Sequence, residues 1–123
     1  MAQSFRDLKV WNLAIEMTTL VYAVTADFPK SEMYGLTSQM RRAAVSVASN
    51  IAEGSARGTK KDFKQFVSIA RGSNCELQTQ LVIATRLGFA EEQRIEGIEM
   101  ASHQIGQMLS GLSKYLSEAR SKS

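Results

Sequence analysis

The sequence predicts an all-α chain, an antiparallel up-down four-helix bundle that assembles as a homo-oligomer. Three observations carry the bundle, and the first helix's second apolar seam, described below, carries the assembly. The 123 residues contain one proline. Apolar residues recur at alternating steps of three and four over long stretches, the period of a helix face. Glycines and the proline fall mostly between those stretches, leaving short connections, and short connections make consecutive helices run in opposite directions.

The first helix is expected over about residues 7–26, where Ser4 and Asp7 form the S-x-x-D arrangement that satisfies free amides of a first turn, and Phe28-Pro29 stops it. After a loop containing Gly35, Thr37 is the expected cap of a second helix over about 38–55, with Gly54 and Gly58 supplying left-handed positions at its end. Thr59 and Asp62 open a third helix, about 60–87, which stops at Gly88. Glu91 and Glu92 favour the positive N-terminal end of a fourth, about 91–119. Ile95, Ile98, Ser102, Ile105, Leu109, Leu112 and Leu116 form the fourth helix's seam. Val67, Ala70, Asn74, Leu77, Leu81 and Ala84 lie on one face of the third, and Met40, Ala43, Ala44, Val47 and Ile51 on one face of the second.

The first helix carries two apolar seams. Leu8, Trp11, Ile15, Thr18 and Tyr22 form one; Val10, Leu13, Met17, Leu20 and Val24 form another, roughly 150° around the axis. A protomer core needs one stripe, and a second stripe left in water is an aggregation liability. The seam of Val10, Leu13, Met17, Leu20 and Val24 is therefore assigned to an oligomer interface.

With 44% hydrophobic residues the chain can bury a core in a single domain spanning residues 1–123. The lone Cys75 excludes an internal disulfide scaffold, the N-terminus lacks a signal-peptide pattern, and no apolar run reaches the roughly 20 residues of a membrane span. The expected location is the cytoplasm, without a membrane partner. Net charge is only +3, but its distribution is uneven. From Arg41 to Arg71 seven cations stand against two anions, and from Glu91 to Glu118 two cations stand against five anions.

The segment SNIAEGSARGTKK, residues 49–61, invites a phosphate-loop reading. It fails, because the glycines are separated by three residues, Thr59 intervenes before Lys60, and no strand precedes. Glu96, Glu99 and His103 share a helix face. One histidine at that spacing does not make the paired Glu-x-x-His set of a bundle di-metal centre, and no metal or other cofactor is expected. Nothing sets a nucleophile beside the single histidine, so no catalytic residues are assigned and the chain is read as a non-enzyme. Asn50 and Asn74, at or inside apolar stripes, are assigned to helix alignment, because displacing a buried amide leaves it unpaired.

The remaining feature is cationic. Lys60, Lys61, Lys64 and Arg71 lie within about a third of the third helix's circumference, with Arg57 just upstream and the Arg41-Arg42 pair on the second helix. These seven are the candidate nucleic-acid-binding residues. The chemistry is charge neutralisation of backbone phosphate beside a helix N-terminus. Few aromatics accompany them, so binding is expected to be salt-sensitive and directed at backbone. A solvated face with intramolecular pairing explains the same charges equally well.

Three stretches, FRDLKVWNLA, FPKSEMYGLTSQMRRAAVSVASNIAEGSAR and FKQFVSIARGSNCELQTQLVIATRLG, together resemble the bacterial 23S rRNA intervening-sequence protein family. That family includes the accessory variability protein of diversity-generating retroelements. The resemblance covers about residues 5 to 90 and extends to the fourth helix only in its pattern. It implies a four-helix protomer in a homopentameric ring, and, from the retroelement relatives, a reverse transcriptase and nucleic acid as partners. No catalytic residues carry over. The expected function is a non-enzymatic oligomer that contacts RNA or DNA backbone, as a ribonucleoprotein accessory. The alternative is a structural homo-oligomer or scaffold for a protein partner.

Overall fold

The computed structural model describes residues 4–121, and side chains through residue 118. Among these residues there are four α-helices and no strand: α1 Lys9–Thr25, α2 Leu36–Ser55, α3 Lys60–Arg86 and α4 Glu92–Ser121. Short 3-10 turns at Phe5–Asp7 and Lys30–Glu32 precede α1 and α2. Each helix packs on two others, α1 on α2 and α4, α3 on α2 and α4. The core lies inside that square. No helix is long and apolar enough, within the described residues, to cross a membrane.

The helix ends follow local chemistry. Ser4 caps the opening 3-10 turn by accepting from the Arg6 amide, and Asn12 Nδ2 donates to the Arg6 and Leu8 carbonyls, tying that turn to α1. Thr37 does not cap α2. The helix begins one residue earlier, Thr37 is buried, and the Leu36 amide donates to Glu32 Oε1 at 3.1 Å. Thr59 does cap α3, accepting from the Asp62 amide. The α3 terminus is a Schellman motif. Gly88 takes φ +70°, its amide donates to the Thr85 carbonyl, and the Phe89 amide donates to the Ala84 carbonyl. Phe89 then packs on Phe28, ring centroids 5.4 Å apart, closing that end of the bundle.

Gly58, at φ +87°, ends the α2 segment as expected. Gly54 has another role: it lies within α2, buried, where a Cβ would stand 2.7 Å from Phe66 Cβ and 2.9 Å from Phe63 Cδ1. Its missing side chain is what lets α2 and α3 meet at this level.

The orientation of α1 corrects the interface assignment. Val10, Met17 and Val24 are 6%, 0% and 1% exposed and belong to the protomer core, together with Ala14 and Val21. The buried ridge is Val10, Ala14, Met17, Val21 and Val24, which shares three members with the expected seam. Leu13 packs at the core's edge and Leu20 is 45% exposed. The reason is steric: Ala14 and Val21 are smaller than Leu13 and Leu20 and allow closer approach, so α1 is rolled toward them.

Polar cross-links fix the helix faces. Thr18 Oγ1 donates to the Ala44 carbonyl between α1 and α2, and the Ser46 and Ser73 hydroxyls bond at 2.7 Å between α2 and α3. Between α3 and α4, Asn74 Nδ2 donates to the Ser102 carbonyl at 2.9 Å. Ser102 Oγ donates back to Asn74 Oδ1 at 2.8 Å and accepts from Gln78 Nε2. Asn74 and Ser102 are both buried. Asn50 instead bonds to the Ser46 carbonyl and hydroxyl of its own helix. Arg94 joins α4 to α1, bonding to Asp27 Oδ2 at 2.7 Å and the Ala23 carbonyl at 3.0 Å.

Candidate nucleic-acid interface

The α2–α3 corner gathers four of the seven assigned cations. Gly58 turns the chain, Thr59 starts α3, and Lys60 and Lys61 stand exposed in its first turn with Lys64 one turn on. Arg57 is held rather than loose. Its guanidinium lies 4.9 Å from the Phe66 ring centroid and pairs with Glu53 at 3.1 Å, both side chains about half exposed. Such an exposed i, i+4 pair contributes only about 0.3–0.5 kcal/mol and does not consume the charge. Lys60 Nζ stands 5.8 Å from the Tyr115 ring, and Arg71 Nη2 donates to Ser110 Oγ. Lys60, Lys64 and Arg71 fall within about 40° on α3, and the contacts of Lys60 and Arg71 put their stripe beside α4.

Arg41 stands apart. Half-buried, it donates from Nε to Thr25 Oγ1 at 2.9 Å, reaches the Tyr22 carbonyl, and stacks 4.5 Å from the Tyr22 ring centroid. The guanidinium thus serves the carbonyl end of α1, where a cation is favoured. Arg42 is exposed but sits about 20 Å along α2 from the Ser55 end beside Arg57, at about 1.5 Å per residue. The seven residues therefore do not form one patch. Arg57, Lys60, Lys61 and Lys64 cluster, Arg71 lies along the same stripe, and Arg41 and Arg42 belong to the far half of α2.

Two features were invisible to residue spacing. One is an apolar groove between α1 and α2, about 280 Å³, floored by Ala48 and Ala52 and walled by Trp11, Ile15 and Val45. Beyond Val45 it opens into a cleft of about 560 Å³ against Tyr22 and Tyr34. The other is a polar cleft between α2 and α3, lined by Arg42, Glu76 and Gln80. Cys75 is exposed. Among the described residues, no three His, Cys, Asp or Glu side chains are grouped to hold a metal ion.

A family model for the 23S rRNA-intervening sequence protein matches residues 6–111. The chain belongs to that family. The match runs from the opening 3-10 turn through the first two thirds of α4, farther than the three resembling stretches, because α4 contributes a seam more than a motif. A protein of unknown function from the S23 ribosomal protein family of Bacteroides thetaiotaomicron has a similar crystal structure. It superposes with a TM-score of 0.77 at 20% identity, over 85% of this chain and 98% of that one. At that identity the likeness speaks for the fold. No curated protein matches the chain. For this intervening-sequence protein, the basic corner and the two clefts are accordingly the places where chemistry can be sought.

Proposed function

We propose that this protein is a non-enzymatic, cytoplasmic homo-oligomer, built of antiparallel up-down protomers, that contacts nucleic-acid backbone through the basic corner of α2 and α3. The antiparallel reading is supported by the cross-links: Thr18 pairs with Ala44 while Tyr22 pairs with Arg41, and Arg71 pairs with Ser110 while Asn74 pairs with Ser102. The observation that carries the binding reading is the cluster of Arg57, Lys60, Lys61 and Lys64 at the N-terminus of α3, where free amides and the positive end of the helix dipole add to side-chain charge. The family's name, which couples it to an intervening sequence of 23S rRNA, agrees with a polyanionic partner.

Titration of a labelled single-stranded RNA and a DNA duplex at about 50 and 200 mM salt tests this. Substituting Lys60, Lys61 and Lys64 together by glutamine is expected to flatten the log-affinity against log-salt slope for single strands by about 2. Affinity at the lower salt should fall at least tenfold. No binding by the unaltered protein at low salt would leave the second reading, a scaffold without nucleic acid.

Self-association is supported by the α1–α2 groove, where Ile15, Tyr22 and Val45 keep large exposed apolar surfaces side by side. The homopentamer implied by family resemblance is the expected assembly. Native mass spectrometry of an Ile15→Glu, Val45→Glu double variant is expected to show monomer where the unaltered protein shows the oligomer. A monomeric unaltered protein at about 10 µM would end this part of the proposal.

A further inference from the structure

We propose that the outward face of α4 is a second self-association surface, on which two copies of this chain pair antiparallel about a two-fold axis at Gln104. The face shares no residue with the α1–α2 groove, and α4 and α2 stand at opposite corners of the square. The inference therefore goes beyond the assembly proposed above and does not depend on it.

The order of residues along α4 carries the argument. At 100° per residue, Gln93, Gly97, Met100, Met108, Gly111 and Tyr115 all fall within about 40° of Gln104. They make a stripe about 33 Å long without one charged side chain. The core seam is turned roughly 130° away from it. Met100 and Tyr115 are 74% and 58% exposed, Gln93, Gly97, Gln104 and Gly111 are exposed too, and Met108 leans on the core. Read from Gln104, the stripe is the same in both directions: methionine four residues away, glycine seven. In an antiparallel two-fold pair, residues equidistant from the axis face each other. Met100 then meets Met108 of the second copy, Gly97 meets Gly111, and Gln104 meets its own mate, whose amide offers a donor and an acceptor in return.

The glycines call for a close neighbour that the protomer does not supply. A Cβ at Gly97 or Gly111 would meet nothing within 4 Å, so the fold has no steric need of glycine at either place. Glycine is nevertheless the weakest helix former after proline. Facing pairs of glycines let two helix backbones approach, and flexible methionines fill the space between them.

The flanking charges fix the direction. Glu96 and Lys114 lie on the same flank of the stripe, each about 80° from Gln104, both exposed and without an ion-pair partner among the described residues. A parallel pair would set Glu96 against Glu96 and Lys114 against Lys114. The antiparallel pair sets Glu96 within about 3 Å, along the axis, of Lys114 of the second copy, and does so twice by symmetry.

Sedimentation of the Ile15→Glu, Val45→Glu variant at about 10 and 500 µM tests this, because that background lacks the groove contact whether or not the groove assembles. A single helix pair belongs to the small, transient class of interface, so the variant is expected to pass from monomer to dimer with a Kd on the order of 100 µM. Glu96→Lys or Lys114→Glu added alone should weaken the dimer about tenfold, since two like-charge contacts replace two opposite ones. The two together should restore it. Gly111→Gln should abolish the dimer while keeping or raising the melting temperature, because glutamine is the better helix former. In a Cys75→Ser background, Gln104→Cys is expected to form a disulfide-linked dimer under mild oxidation. Gly97→Cys is not, since its mate stands about 21 Å along the axis. A monomer at the higher concentration, a double reversal that fails to restore pairing, or equal cross-linking at positions 97 and 104 overturns the proposal. An unaltered protein that is monomeric at the lower concentration and dimeric at the higher, with the charge swap obeyed, sinks the groove assembly and leaves this pairing standing.

Discussion

Gly54→Ala is expected to cost about 3 kcal/mol of folding stability, the upper end of what overpacking a core costs, whereas Gly72→Ala should add roughly 1 kcal/mol. The two substitutions add the same methyl group to helix interiors, and their opposite signs come from their surroundings. At position 54 the new carbon would sit 2.7 Å from Phe66 Cβ and 3.3 Å from the Phe63 carbonyl oxygen. Neither is the tip of a flexible side chain, so relief requires α2 and α3 to move apart. That opens the layer where Ile51 and Val67 are fully buried. At position 72 nothing lies within 4 Å, and alanine only reduces the conformational freedom of the unfolded chain. Urea unfolding with unchanged m-values measures both. A Gly54→Ala protein within about 0.5 kcal/mol of the parent, the scatter of ordinary surface changes, would mean that the two helices do not approach as described.

Ser102→Ala and Asn74→Leu should each destabilise by about 2 kcal/mol, and Asn50→Leu by much less. In the first variant Asn74 Oδ1 loses the Ser102 hydroxyl that donates to it inside the bundle, and Gln78 Nε2 loses an acceptor. In the second, the Ser102 hydroxyl keeps the Gln78 bond but has nowhere to send its own proton, and α4 loses the amide that fixes its height against α3. Asn50 returns its bonds to its own helix, so its loss misaligns nothing. A double-mutant cycle over Asn74 and Ser102 should give a coupling of about 1–2 kcal/mol, as expected for directly bonded neighbours. Additive effects would show that the network does not set register.

These cases also show what residue order conveys. The four helices, the Thr59 cap and the left-handed glycines at 58 and 88 follow from chemistry acting within a few residues. Facing relations between helices do not. Val10, Met17 and Val24 fit two seams equally well, and the choice of Ala14 and Val21 over Leu13 and Leu20 rests on how closely neighbours approach. Gly54 carries the same letter as a helix terminator but serves as a clearance. Thr37 was a plausible cap until the Lys30–Glu32 turn brought a carboxylate to the Leu36 amide.

The candidate sites divide in the same way. The cations at 57, 60, 61 and 64 are consecutive enough that any helix start gathers them, whereas Arg41 is a cation by letter and a helix-end ligand in three dimensions. The polar cleft joins Arg42 to Glu76 and Gln80 across two helices, a pairing fixed by the α2–α3 register and absent from either helix's own periodicity.

The square arrangement has a mechanical consequence. Three of its four seams join helices that follow one another in the chain, so each is tied at one end by a connection of four to ten residues. The seam between α1 and α4 has no such tether. It is the one that can part without stretching a loop, and the two hydrogen bonds of Arg94 to Asp27 and Ala23 lie across it like a latch.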